Sequence, residues 1–483
     1  MLGGKNFLPL ILLLLLLTAA FANFAHYALS MLLYPFEWDS FEGYHVYQSW
    51  RFARGEPLYK DPNTYPLLVT NYPPMFFVLG GALLKIFGLA FWPLRLLALA
   101  AALTSGLMIF LIVKAENGSS FWALAGALLF FASPYSASYY LPMARIDGLA
   151  LAFSLAGLYF LRRNLESAKA LAAAGIFFLL AVYTKQTAIL AAVAGWLWLL
   201  LNNPRRALVM GSAMAVAGAI AFVLINRFSG EEFYRQLFIL NVGRAAPGQA
   251  EGMFVNFLGR WGIFFAAAVA ALFVGRRQEN LWRSFFVFSL LNGVFTFRHG
   301  AVIAYYLPVV AAMAILCAVS APRFDRLLVE SKPVWRGRLG LTAVAALGLI
   351  AANGWQYIRP TRADAGKMEE YRQAFAQADG EILTFQMHSL AFLNSREVYI
   401  FPTSLESTTG FRGVESSPFF GDIDRGKFKI VLDSYRYSFI SPGIRDRLKL
   451  RYEPSGVVVL PAHRPGGEEF VIWRLRPEEA EGK

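Results

Sequence analysis

Long uninterrupted apolar segments set the pattern of this chain. After Lys5 a leucine-rich run covers residues 7–29. Further apolar stretches fall near 93–113, 120–139, 147–162, 170–184, 187–202, 206–226, 261–275, 284–297, 301–318 and 339–357. A helix needs about 20 apolar residues to cross the hydrocarbon layer, so the pattern predicts a polytopic helical membrane protein. The first run resembles a signal peptide, but no small-residue cleavage site follows promptly, and we read it as a retained helix. Clusters of cations separate many of the runs: Arg162, Arg163 and Lys169; Arg205 and Arg206; Arg276, Arg277 and Arg283; and the basic stretch 323–338. The positive-inside rule assigns these to the cytoplasm. Parity then leaves the short apolar stretch 75–89 as a segment that enters or lies along the outer leaflet. The expected total is about 11 crossings, with the N-terminus inside.

The pattern changes after residue 358. From 359 to 483 the chain is polar and carries short β-like runs, EILTF, VYIF, KIVLDSY, GVVVL and EFVIW, with one predicted helix over 367–377. These alternate with turn residues, as a small α/β domain would. The expected organisation is a membrane domain, 1–358, and an extracytoplasmic α/β domain, 359–483. Two long polar intervals, 35–74 and 227–260, are the expected outer loops, and FYRQLFILN in the second is amphipathic. Loops of such length are functional or disordered, and the aromatic content of the first argues against disorder.

Composition agrees with the pattern. Hydrophobic residues make up 57% of the chain and the mean hydropathy is +0.46, above the range of soluble domains. The net charge of +13 raises nucleic acid as a partner, but its cations flank apolar helices, and no nucleic-acid role is expected. The single cysteine, Cys317, lies in an apolar run, so there is no disulfide framework.

Charged residues at the ends of apolar segments are costly and mark cavities or reaction sites. Asp39 and Glu42 follow the first run at a spacing that shares one helix face. They suit a general base or a divalent-cation site, or simply an acidic helix start favoured by the dipole. Arg145 and Asp147 in LPMARIDGLAL read as an anion contact with an orienting or metal-binding acid, or as a local ion pair. Lys185 and Gln186 in AVYTKQTAIL offer a point charge for a phosphate, or a lysine reaching the headgroups. Arg298, His299 and Tyr305 in TFRHGAVIAYYLP read as site residues or as interfacial anchors, and Lys60 and Arg244 are further cations. Asp39, Glu42 and Asp147 are the metal candidates. Together, outer-face acids and cations suit a phosphate-bearing lipid held at the membrane surface while something attacks it. A transporter would place its charges near the midplane and show related halves, and neither is seen here. A lipid-linked polysaccharide ligase or polymerase is a closer alternative.

The residues from Asp39 through FEGYHVYQSWRFARGEPLYKDP to NYPPMFFVLGGALLKIFG, then Arg95, the Arg145-x-Asp147 element and Lys185-Gln186 carry a resemblance. The chain resembles the membrane-embedded C-type glycosyltransferases, related to the protein O-mannosyltransferase and lipid A aminoarabinose transferase families. The resemblance implies transfer of a sugar from a polyprenyl-phosphate-sugar donor to a lipid, glycan or protein acceptor on the outer face of the cytoplasmic membrane. It makes Asp39 the catalytic acid, with Glu42 as the second catalytic residue. Two departures stand out. The family often has adjacent Asp-Glu, where this chain has Asp39-Ser40-Phe41-Glu42, and the lysine often found before the paired proline is Tyr72. The donor-phosphate contacts expected from this pattern are Arg145, Lys185, Lys60 and Arg298, with Asp147, Gln186, His299 and Tyr305 in support.

Overall fold

The structure is a computed structural model that describes residues 7–132, 137–241, 245–274, 280–298, 301–331, 357–400, 415–434, 442–461 and 467–476. His299, Arg244, most of the expected span 339–357 and part of the basic stretch 323–338 lie outside the described residues.

Among the described residues, the helices of 11 residues or more in the first unit are α1 (Phe7–Leu33), α2 (Ser40–Ala53), α3 (Met75–Phe87), α4 (Trp92–Asn117), α5 (Ser120–Phe131), α6 (Ile146–Arg163), α7 (Ala168–Val182), α8 (Ile189–Asn202), α9 (Pro204–Phe228), α10 (Pro247–Val274), α11 (Asn280–Leu290) and α12 (Leu307–Ser331). Five described helices are long and apolar enough to cross a membrane, at Leu10–Leu33, Trp92–Asn117, Pro204–Phe228, Pro247–Phe273 and Ile303–Phe324. α3, α5, α7 and α8 are apolar but shorter. The chain is a polytopic helical membrane protein. On α9 the residues Leu208, Val209, Val216, Ile220 and Val223 are exposed, the surface a helix presents to lipid.

α4 defines the two ends of the bundle. Arg95 sits in its first turn and Glu116 in its last, about 32 Å apart at 1.5 Å per residue. Arg162 pairs with Glu116 at 2.7 Å, and Arg206 with Glu166 at 2.6 Å, so these loop cations collect at the Glu116 end. α3 behaves differently. Met75 N–H at its start donates to the Tyr183 carbonyl at 3.0 Å, and its C-terminal Gly88 leads within a few residues to Arg95. Both ends of α3 therefore lie at the Arg95 end, and the helix does not traverse the bundle. The helix boundaries differ from the expected runs in several places: the run 120–139 is helical only to Phe131, the run 284–297 gives a helix over Asn280–Leu290, and the helix expected over 367–377 starts at Arg362. The polar interval 227–260 is shorter than expected, because Pro247, favoured at a helix start, opens α10 and places Ala250 and Phe257 on a buried stripe.

The second unit begins with α13 (Arg362–Gln377), whose start carries a capping box between Thr361 and Asp364. Four strands follow, β1 (Glu381–Thr384), β2 (Phe428–Ser434), β3 (Tyr452–Leu460) and β4 (Glu468–Leu475), with α14 (Ser417–Asp424) and α15 (Pro442–Arg451) between them. The sheet order is β1-β2-β4-β3. β1 and β2 run parallel, and β2–β4 and β3–β4 antiparallel. This unit sits on the loop 36–74. Leu67 forms a parallel bridge with Ile400, the Tyr47 ring stacks on Phe392 at 5.5 Å, and Glu415 N–H donates to Asn63 Oδ1 at 2.8 Å.

Candidate functional site

α2 is where the polar interval becomes rigid. Asp39 is its cap: extended backbone at φ −140° and ψ 139° lets Oδ1 accept from Phe41 N–H, at 3.0 Å. One turn later Glu42 turns inward, where four donors meet it. Arg95 Nε and Ala144 N–H reach Oε1, each at 2.8 Å. Arg95 Nη2 reaches Oε2 at 2.8 Å and Trp38 N–H reaches it at 3.0 Å. Glu42 and Arg95 are fully buried. Arg95 also donates to the carbonyls of Met31, Tyr34 and Phe36, which fastens the exit of α1 to α2.

His45 completes the grip on residue 144. Its Nδ1 lies 2.9 Å from the Ala144 carbonyl, which only accepts, so Nδ1 carries the hydrogen. Glu42 holds the N–H of Ala144 and His45 holds its C=O, from one face of α2. Burial, with the positive Arg145 nearby, pushes the imidazole down to about 3, so the ring is neutral. The residue so fixed leads directly into Arg145.

Arg145 opens α6 in extended conformation, φ −128° and ψ 151°. Its Nη1 donates to Asp39 Oδ1 at 2.8 Å and its Nε faces Asp147 Oδ2 at 3.4 Å. Asp147 Oδ1 accepts from Lys185 Nζ at 2.6 Å. The Lys185 ammonium stands 4.0 Å from the Tyr305 ring centroid. The guanidinium of Arg145 lies between the rings of Phe41 and Tyr140, at 4.9 and 4.7 Å. The row Asp39–Arg145–Asp147–Lys185 is thus continuous, of alternating sign, and formally neutral. It also has unused capacity. Both hydrogen bonds that Asp39 makes to described residues fall on Oδ1, leaving Oδ2; Arg145 keeps Nη2; and Lys185 donates one of its three protons.

Of the other candidates, Gln186 adjoins the row and donates to the Asn71 carbonyl at 2.9 Å, tying down the loop that ends in Pro73-Pro74. Lys60 points elsewhere, donating to the Tyr65 carbonyl at 3.2 Å beside the second unit. Burial, then the charge of Arg51, holds its ammonium below the usual lysine range. Arg298 pairs through its backbone with Ala245, and no contact joins it to the row. Among the described residues no three histidine, cysteine or carboxylate side chains form a metal-ligating group; the Arg145 guanidinium occupies the space between Asp39 and Asp147.

Beside the row lies a groove of about 790 Å³ between α7, α8 and α9. Its walls include Leu179, Val193, Trp196, Ala215 and Phe222, and Phe233, Leu237 and Phe238 close it from the amphipathic segment. Gln186 and Thr187 stand at its rim. Thr187 also lines a small, mostly apolar cleft that reaches Asp147, Lys185 and Tyr305. The apolar groove and the cleft that reaches Asp147 and Lys185 thus share Thr187.

Residues 71–228, which include Arg95, Arg145, Asp147 and Lys185, match the family model described as dolichyl-phosphate-mannose-protein mannosyltransferase. No curated protein sequence matches the chain. Among solved structures, ArnT from Cupriavidus metallidurans in the apo state aligns with a TM-score of 0.59 at 16% identity, covering 95% of this chain and 97% of that one. The same protein bound to undecaprenyl phosphate gives 0.58 at 15%, with the same coverage. The Archaeoglobus fulgidus oligosaccharyltransferase in complex with Zn and sulfate gives 0.55 at 11%, covering 96% of this chain and 72% of that one. The chain thus shares its fold over nearly its whole length with these solved structures, and the segment that carries three of the four row residues is similar to the mannosyltransferase family model.

Proposed function

We propose that this protein moves a sugar from a polyprenyl-phosphate-sugar donor to an acceptor hydroxyl at the outer face of the cytoplasmic membrane. The observation that carries the reading is that an apolar groove and the cleft reaching Asp147 and Lys185 adjoin at Thr187. A ligand that fits both has a long hydrocarbon chain and an anionic head. The neighbouring ArnT bound to undecaprenyl phosphate supports the same class of ligand. The positive-inside rule supports placing the Arg95 end outside, since the loop cations gather at the Glu116 end.

The chemistry follows from the capacity left in the row. The acceptor oxygen forms a bond to the anomeric carbon as the bond from that carbon to the phosphate oxygen breaks. Asp39 Oδ2 takes the acceptor's proton. Lys185 and the free Nη2 of Arg145 stabilise the charge that grows on the departing polyprenyl phosphate. Asp147 holds both cations in place. In this reading Glu42 is a structural carboxylate, since its four donors leave it no capacity for a proton or a metal ion.

Purified protein in detergent, without an ion gradient, should consume a labelled polyprenyl-phosphate sugar and release polyprenyl phosphate when an acceptor glycan is supplied. Tight lipid binding with no turnover under any acceptor would favour a transport role instead.

A further inference from the structure

One buried acid takes no part in the row. Glu37 is fully buried, two residues ahead of Asp39. Its Oε1 accepts from Ser389 N–H at 3.3 Å, and its Oε2 is buried without a hydrogen-bond partner. Among the described residues no cation pairs with it. Space for the carboxyl exists because residue 43 is glycine: a Cβ there would stand 1.7 Å from Glu37 Oε2. Ser389 opens a short helix, Ser389–Phe392, that follows β1 by four residues. Phe392 in that helix stacks on Tyr47 of α2.

We propose that Glu37 is a positioning residue that couples the second unit, through Ser389, to the turn holding Asp39. The proposal rests on the catalytic reading of Asp39 given above. Burial without a cation, with Glu42 and Asp39 as the charged neighbours, holds the carboxyl well above the usual carboxylate range, so the coupling group is a neutral acid. A neutral acid keeps one oxygen to accept from Ser389 without adding a third negative charge beside Asp39 and Glu42. Removing it frees the Ser389 turn, and with it the second unit's hold on the Asp39 turn. Neither Glu37 nor Ser389 lines the groove.

The test compares Glu37→Ala, Glu37→Gln, Gly43→Ala and the double variant Glu37→Ala/Gly43→Ala in the full-length protein. Glu37→Ala should lower kcat about tenfold while donor KM moves less than twofold, since displacement of a catalytic group by a fraction of an ångström is costly. Glu37→Gln, uncharged and of the same shape, should restore kcat to within about twofold of wild type. Gly43→Ala expels the carboxyl and should match the Glu37→Ala loss, yet add nothing in the Glu37→Ala background, because the space is then free. Hydrogen exchange of amides 384–394, read without any substrate, should quicken in Glu37→Ala and Gly43→Ala but not in Glu37→Gln. Wild-type kcat and unchanged exchange in Glu37→Ala would overturn the coupling, as would losses that multiply in the double variant. If the wild type shows no transfer, the proposed reaction fails while the exchange arm still decides the coupling. If Glu37→Ala does not accumulate, exchange in Glu37→Gln against Gly43→Ala decides it.

Discussion

Two carboxylates enter α2 three residues apart, and their surroundings differ in kind. Glu42 receives four hydrogen bonds on its two oxygens and is sealed from solvent with Arg95. Asp39 receives two, both on one oxygen, and its side chain retains 8% exposure. The first arrangement is complete and can only hold; the second lacks something and can react. Charge and position in the sequence are nearly the same for both. What separates them is how many donors the fold delivers to each, and a ligand-binding site is where that delivery stops short.

The contrast can be broken most severely at its closed half. Arg95→Leu strands a buried Glu42 carboxylate, a change that costs about 3–5 kcal/mol in folded proteins. We expect loss of folded protein from membranes, measured by monodispersity in detergent; normal accumulation would remove Arg95 and Glu42 from the structural role. At the open half, Lys185→Ala should leave abundance unchanged and lower transfer about 100-fold, the scale of losing one donor to a developing oxyanion. Steady-state kinetics on the purified variant checks this.

Filling the groove tests the other side of the boundary. Ala215→Trp should raise KM about tenfold for a long-chain donor, some 1.4 kcal/mol of lost binding, while a short-chain analogue is little affected. Equal effects on both would place the lipid elsewhere. The smallest expected effect is on pH dependence in the second unit. Asp433 is buried at the end of β2, and burial outweighs the opposing charge of Arg445, raising its carboxyl to about 6. The folded state therefore holds this proton more tightly than the unfolded state, whose value is about 4. Its stabilising contribution is present at low pH and fades as pH rises through about 6. Asp433→Asn should raise the melting temperature at pH 8 by about 2 °C, with no gain at pH 4.

Much of the open half is legible in the sequence alone. A carboxylate, an arginine and a lysine at the ends of apolar segments are expensive, and that expense singles out Asp39, Arg145, Asp147 and Lys185. The closed half is not legible there, because the donors that close Glu42 include Arg95, 53 residues away in a helix that reads as membrane span, and Ala144, 102 residues away. Lys60 and Arg298 have the right charge but sit on segments whose direction depends on contacts with the second unit and with Ala245. Glu37 and His45 escape the sequence reading altogether. Glu37 reads as one more acid in a polar loop, although the aromatic residues on either side of it, Phe36 and Trp38, are the available signal that it is buried. Helix ends such as Pro247 differ from the apolar pattern because local start signals extend a helix beyond its apolar core.

The account stands on Asp39 as the group that takes the acceptor's proton. Single-turnover transfer by Asp39→Asn, with donor prebound and the variant at wild-type abundance, tests this directly. The expected result is a rate lower by about 10²–10⁴-fold with donor affinity within a few-fold of wild type. A transfer rate equal to the wild type's would contradict it.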